Sequence, residues 1–207
     1  IKWLIEEARN EMSIDTFAKS LSIREDVSSL RRLKFALSVA ILFLQRHGKN
    51  NEKRYSHLLV SIMPKRDEFP KNVKILSWNY DNQPELAYQR IEKDTSKAKG
   101  LRLSELLHEN TKYNKPSTNP NFTPFLIRLN GRVGYYDSGF RDWYNLGDYL
   151  FNGDLEKLIS HYAYTKDNPR QGMPTLAFAW ENNEYNGFID RARDYCEGTN
   201  ILVCIGY

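Results

Sequence analysis

Three apolar runs of this sequence each end in residues that could hold a small polar ligand. They carry two amides, one carboxylate and several small or aromatic side chains. Residues 73–76 are followed by Ser77, Trp78, Asn79 and Asp81, residues 125–129 by Asn130 and Gly131, and residues 201–205 by Gly206 and Tyr207. In open α/β sheets, ligands bind in the crevice outside the carboxyl ends of the strands. The three runs therefore predict one ligand site built from three strand ends.

The elements that must position these residues alternate between strands and helices from residue 73 onward. Strands are predicted over residues 73–78, 125–129, 175–180 and 201–205, and helices over residues 84–97, 101–108, 146–161 and 187–195. This order predicts an α/β fold in which helices cover a parallel sheet with right-handed crossovers.

The first 65 residues show helical periodicity instead. Ser13 is a predicted N-cap for a helix over residues 14–21, residues 27–45 carry a broad apolar face, and a further helix covers residues 54–63. We predict one domain with a helical part over residues 1–70 and a core over residues 71–207. Because Ile1 begins within a helical pattern and Tyr207 falls at the expected mouth of a strand, we expect a piece of a longer chain.

Composition narrows the class of protein. The 207 residues are 41% hydrophobic and 27% charged, which is typical of a folded domain. The net charge of +4 permits an anionic ligand but does not imply nucleic-acid binding. No apolar run approaches the ~20 residues of a membrane helix. The two cysteines, Cys196 and Cys204, are too few for a disulfide framework or a zinc site, so we expect no metal, a buried thiol at Cys204 and a cytoplasmic location.

The three strand-end motifs resemble those of the SIR2-like family. WNYD at residues 78–81 followed by Glu85 is similar to the family's NYDxxxE segment, LNG at residues 129–131 to its LHG segment, and IGY at residues 205–207 to its GYS segment. The resemblance covers roughly residues 73–207. It implies a Rossmann-like sheet that binds NAD+, and many bacterial members cleave the nicotinamide–ribose bond as an anti-phage response.

The resemblance also implies roles for the candidate residues. Asn79 would hold a water or the ribose, Asp81 would accept from ribose hydroxyls or steady the developing positive charge, and Asn130 would fix the other hydroxyl. The remaining contacts to NAD+ would come from Ser77, Trp78, Gly131, Gly206 and Tyr207. Cleavage passes through an oxocarbenium-like state. Because nicotinamide leaves readily, no strong general acid is needed.

Two departures from the family leave two hypotheses open. Asn130 stands where the family has a histidine, which in sirtuins acts as a base, and asparagine cannot take up a proton near neutral pH. No GxGxS or GxGxxG turn occurs. The first hypothesis is an NAD+ glycohydrolase of a defence protein, acting as a homo-oligomer or with a partner protein. The second is a module that has lost catalysis and binds NAD+ or ADP-ribose derivatives. Sirtuin-type deacetylation is disfavoured because no Cys-x-x-Cys pair is present.

Each candidate residue also has a structural interpretation. Asn79 and Asp81 could cap the following helix. Asn130 and Gly131 form a reasonable turn pair, because both residue types tolerate positive φ. Trp78 is more typical of a core or a pocket wall than of chemistry.

Two neighbouring features have ordinary explanations as well. Glu85 suits the first turn of a helix, where the helix dipole favours a carboxylate. The aromatic residues within residues 135–144 are more typical of packing than of stacking on nicotinamide or adenine.

Overall fold

A computed structural model describes residues 2–9, 11–47, 53–64, 70, 72–92, 126–131, 133, 135–136, 144–145, 176–181 and 187–204. The chain divides into two compact units, each assembled from separate stretches. Unit 1 comprises Ile1–Lys53, Asn79–Gln83 and Asn130–Glu181, and unit 2 comprises Arg54–Trp78, Pro84–Leu129 and Asn182–Tyr207. The predicted division into residues 1–70 and 71–207 stays a prediction.

The described residues form six helices and four short strands. In chain order these are α1 (Lys2–Ala8), α2 (Ile14–Ile23), α3 (Val27–His47), α4 (Lys53–Ile62), β1 (Ile75–Ser77), α5 (Gln83–Glu92), β2 (Leu126–Arg128), β3 (Tyr135–Tyr136), β4 (Tyr144–Asn145) and α6 (Gly187–Glu197). The fold is thus a mixture of helices with a small parallel sheet, and the predicted N-terminal helices are confirmed. None of the helices described is long and apolar enough to cross a membrane.

In unit 1, α2 and α3 pack around a shared apolar core. Phe17, Ala18 and Leu21 lie on one side of α2 and are buried against the apolar face of α3. Val133, Leu176 and Phe178 complete this core. Val133, Leu176 and Phe178 are therefore held in place by burial of their apolar side chains.

Local hydrogen bonds set the ends of α2 and α3. The Ser13 side chain accepts from the Thr16 N–H at 3.1 Å, which confirms Ser13 as the predicted N-cap, and Asp26 accepts from the Ser29 N–H at the start of α3. Between the helices, Glu25 adopts φ 57° while the Asp26 N–H bonds to the Leu21 carbonyl. This left-handed closure usually uses glycine, and a non-glycine residue there costs about 1 kcal/mol.

In unit 2, β1 and β2 form a parallel pair. Ile75 lies opposite Leu126, and Ser77 lies opposite Arg128. The Leu129 N–H then donates to the Ser77 carbonyl at 2.9 Å, which continues the pairing by one residue. A second apolar cluster of this unit buries Leu59, Ala87 and Tyr88 with Ile75 packed against it, and α6 contacts β2. The parallel pairing of the first two predicted strands is confirmed.

Two other predicted strands are not strands in the structure. The Ala177 N–H donates to the Asn130 carbonyl and the Phe178 carbonyl accepts from the Glu181 N–H, but residues 176–178 form no strand ladder. Residues 201–204 are also without strand structure, and Ile201 is 80% exposed. The predicted burial of Cys204 is wrong, because its side chain is exposed. An apolar run becomes a buried strand only where it can hydrogen-bond to the edge of a neighbouring strand and pack against a layer of helices.

Several predictions fall on other parts of the chain. Within the aromatic stretch, for which no strand was predicted, β3 and β4 form an antiparallel pair that joins Tyr136 to Tyr144. The predicted helices over residues 101–108 and 146–161 lie outside the described residues, as do residue 205, Gly206 and Tyr207.

Candidate functional site

Ser77 is the last residue of β1 and Trp78 follows it, both within unit 2. Ser77 is half-buried, and its carbonyl accepts from the Leu129 N–H, so the end of β1 is held against the end of β2. Trp78 is 64% exposed. Trp78 is therefore not a core residue, whereas its alternative interpretation as a pocket wall and its predicted contact with a ligand stay predictions.

Asn79 and Asp81 lie on the stretch of unit 1 that comes next in the chain. Asn79 is exposed and Asp81 is half-buried. Asp81 Oδ1 accepts from the backbone N–H of Gln83, the first residue of α5, at 3.1 Å. This is the helix-capping arrangement that the sequence offered as the structural alternative, and it fixes the orientation of the carboxylate.

Asn130 and Gly131 form a turn after β2. Gly131 adopts φ 68°, a left-handed conformation that glycine takes without steric cost. Asn130 is half-buried, and its carbonyl accepts from the Ala177 N–H at 2.9 Å. The interpretation of these two residues as a turn is confirmed. The bond from Ala177 holds the backbone that carries the Asn130 side chain.

Two hydrogen bonds tie the Asn79–Gln83 stretch to Val133, three residues after Asn130. The Val133 N–H donates to the Tyr80 carbonyl at 2.9 Å, and Asn82 Nδ2 donates to the Val133 carbonyl at 3.3 Å. Asn82 is buried. The structure therefore brings the stretches that carry Asn79, Asp81, Asn130 and Gly131 together in unit 1, while Ser77 and Trp78 belong to unit 2. Gly206 and Tyr207 lie outside the described residues.

A buried ion pair in unit 2 was not predicted. Arg128 Nη2 donates to both carboxylate oxygens of Glu85, at 3.0 and 2.8 Å, and Arg128 Nη1 lies 3.5 Å from Ser77 Oγ. Glu85 is thus the partner of a strand residue, beyond the dipole contact that the sequence indicated. The signal was present in the sequence, because an arginine inside an apolar strand must bury its charge against a partner.

A second buried pair in unit 1 was also missed. Lys34 on α3 contacts Glu181 Oε1 at 2.6 Å, and Glu181 Oε2 accepts from the Phe178 N–H at 2.7 Å. Burial lowers the pKa of Lys34 below its usual 10.5, and the nearby Glu181 carboxylate opposes this shift. The pairing joins residues 147 positions apart, a separation at which single-sequence patterns carry no signal.

Tyr80, between Asn79 and Asp81, also has a fixed side chain. Its hydroxyl donates to the Ala177 carbonyl at 3.1 Å. Burial raises the pKa of Tyr80 to about 12, and the carboxylates of Asp15 and Glu181 add to the shift. The phenol therefore stays a neutral hydrogen-bond donor throughout the physiological range.

Substituting Tyr80 should change how stability depends on alkaline pH. Unfolded tyrosine ionises near 10.0, whereas folded Tyr80 keeps its proton to about 12, so the folded state binds more protons in this window. The stability that the neutral phenol contributes is fully present below pH 10.0 and is lost as the pH rises towards 12. We expect the melting temperature of Tyr80→Phe to fall less steeply across this window than that of the parent. Parallel curves would contradict the shift.

One further feature of the described part of unit 1 does not involve the candidate residues. An open depression of about 390 Å³ is lined by α2 residues and Trp180, and Lys19 Nζ covers the Trp180 ring at 4.5 Å. Its lining includes none of the candidate residues. Among the residues that the structure describes, no group of three or more His, Cys, Asp or Glu side chains is arranged to hold a metal ion.

No protein-family model, curated protein or solved structure matches this chain.

Proposed function

We propose that this chain is the NAD+ glycohydrolase domain of a bacterial defence protein, with a Rossmann-like sheet of the SIR2-like type. Its substrate would be NAD+, and its reaction would be cleavage of the nicotinamide–ribose bond. The proposed setting is the cytoplasm, where a homo-oligomer or a defence-system partner protein would control the activity. No metal and no nucleic acid takes part in this proposal.

One observation supports the proposal above the others. The Asn79–Gln83 stretch and the Asn130 turn are far apart in the sequence, yet the Val133–Tyr80 and Asn82–Val133 hydrogen bonds tie them together. Two of the three motifs that carry the resemblance thus lie side by side. The parallel pairing of β1 with β2 is a second support, because it is the arrangement in which neighbouring strand ends share one edge.

In the proposed cleavage of NAD+, the side chains stabilise charge and position the reacting groups. The C–N bond to the ribose breaks, its electron pair passes to the nicotinamide ring nitrogen, and a water oxygen bonds to the ribose carbon and releases a proton. Asp81 would stabilise the positive charge that develops on the ribose. Asn79 would orient the water or the ribose, and Asn130 would hold a ribose hydroxyl. Positioning alone contributes several kcal/mol to such a reaction.

The second candidate function is an NAD+ or ADP-ribose binding module without turnover. The residue that favours it is Asn130, because an amide can hydrogen-bond a ribose hydroxyl but cannot accept its proton. The cap that Asp81 forms on the Gln83 N–H is also compatible with a purely binding role.

Nicotinamide release from NAD+ separates the two functions. We expect release by the full chain, and faster release by Asn130→His, because imidazole restores a base of suitable pKa at this position. The measurement is chromatographic quantification of nicotinamide over time. Binding of NAD+ and of ADP-ribose by titration calorimetry accompanies it for both proteins.

The outcomes distinguish the proposals cleanly. Release by Asn130→His without release by the parent, together with NAD+ binding by both, would replace the hydrolase with the binding module. Neither release nor binding by either protein would overturn both proposals.

A further inference from the structure

Residues 176–181, which we call the anchor segment, bond to both candidate stretches of unit 1. The Ala177 N–H donates to the Asn130 carbonyl at 2.9 Å, and the Ala177 carbonyl accepts from the Tyr80 hydroxyl at 3.1 Å. Ala177 therefore holds both the Asn130 backbone and the Tyr80 side chain. Tyr80 lies between the other two candidate residues, Asn79 and Asp81, in the chain.

The anchor segment is itself immobilised at its other end. Glu181 bonds to the Phe178 N–H through one carboxylate oxygen and to Lys34 of α3 through the other. Leu176 and Phe178 are buried in the core of unit 1, and the Phe178 and Trp180 rings stack with centroids 5.6 Å apart. Burial of apolar side chains and a buried ion pair thus hold the anchor segment in place without a bound ligand.

Tyr80 is held at two points. Its carbonyl accepts from the Val133 N–H and its hydroxyl donates to the Ala177 carbonyl, so neither its backbone nor its χ1 rotamer can change without breaking a bond. Its neighbours in the chain are Asn79 and Asp81. The directions in which those two side chains leave the backbone are therefore set by the bonds of Tyr80.

We propose that Tyr80 is a positioning residue, which together with the anchor segment holds Asn79, Asp81 and Asn130 in one fixed arrangement. Its hydroxyl acts through the Ala177 carbonyl and does not touch the substrate. The kinetic part of this inference rests on the proposed NAD+ glycohydrolase function, whereas its structural part does not. Displacing a reacting group by about 1 Å can cost on the order of 100-fold in rate.

Tyr80→Phe in the full chain tests the inference with two readouts. We expect kcat for nicotinamide release to fall about 10- to 100-fold with KM little changed, because the groups that bind substrate remain but their alignment is lost. We also expect the Ala177 and Val133 amides to exchange with solvent about five- to tenfold faster, as the loss of one hydrogen bond implies.

Ser20→Ala is the matched control for this experiment. The Ser20 hydroxyl donates to the Phe17 carbonyl at 2.9 Å within α2, so its removal also deletes one side-chain hydrogen bond from unit 1. We expect it to leave kcat and the exchange of Ala177 and Val133 unchanged.

The kinetic and exchange measurements distinguish failure of the proposed function from failure of the positioning role. A parent that releases no nicotinamide refutes the proposed function, and the exchange rates still test the positioning role. Unchanged exchange at both amides, or unchanged kcat in an active parent, would overturn that role. Faster exchange spread evenly through α2 and α3 would also overturn it, because the hydroxyl would then support the whole unit instead of the anchor segment.

Discussion

Replacing either Glu85 or Arg128 with methionine destabilises the protein by about 3–5 kcal/mol. The side chains are 8% and 3% exposed, and each deletion leaves the other charge buried without its bidentate partner. Glu85→Met should cost more than Arg128→Met, because a buried carboxylate can take up a proton whereas a guanidinium cannot lose one. Urea unfolding followed by circular dichroism measures both effects.

The double variant makes this prediction specific. We expect Glu85→Met combined with Arg128→Met to be more stable than either single variant, because two apolar side chains of similar volume replace the buried charges. Arg90→Met is the matched control, since Arg90 is exposed on the same helix as Glu85, and we expect it to cost under about 1 kcal/mol. Single variants that cost no more than this control would refute the buried-pair argument.

Replacing Asn79 with alanine slows nicotinamide release strongly but spares the fold. Loss of one preorganised hydrogen-bonding group lowers kcat by about 10²–10³-fold. Because Asn79 is exposed, we expect the free energy of unfolding to change by under about 0.5 kcal/mol. Nicotinamide quantification and urea unfolding of the same preparation check the two halves of this prediction.

Two other asparagines serve as comparisons for Asn79. Asn200 is exposed in unit 2, so Asn200→Ala should leave both activity and stability near those of the parent. Asn82 is buried and donates to the Val133 carbonyl, so Asn82→Ala should destabilise the protein by about 1–3 kcal/mol. Full activity in Asn79→Ala, or a stability loss as large as that of Asn82→Ala, would remove Asn79 from the site.

Local patterns predicted the helices well because helices are formed by local interactions. The Ser13 cap and the apolar face of α3 depend on residues within a few positions of one another. The turn at Gly131 was predicted for the same reason, whereas β1 (Ile75–Ser77) is shorter at both ends than the strand predicted over residues 73–78. Residues 201–204 were assigned to a strand from their apolar character, but a strand also needs a partner edge, which is not a local property.

The sequence by itself determined which residues are available for chemistry and where the described helices lie, and it offered a strand-end turn as one interpretation of Asn130. The tertiary structure decided which of these residues share a unit and what holds them. The Glu85–Arg128 pair, the Lys34–Glu181 pair and the Tyr80–Ala177 bond each join distant parts of the chain. Such partners are selected by burial, because a charge or a hydroxyl removed from water must find a partner wherever the folded chain supplies one.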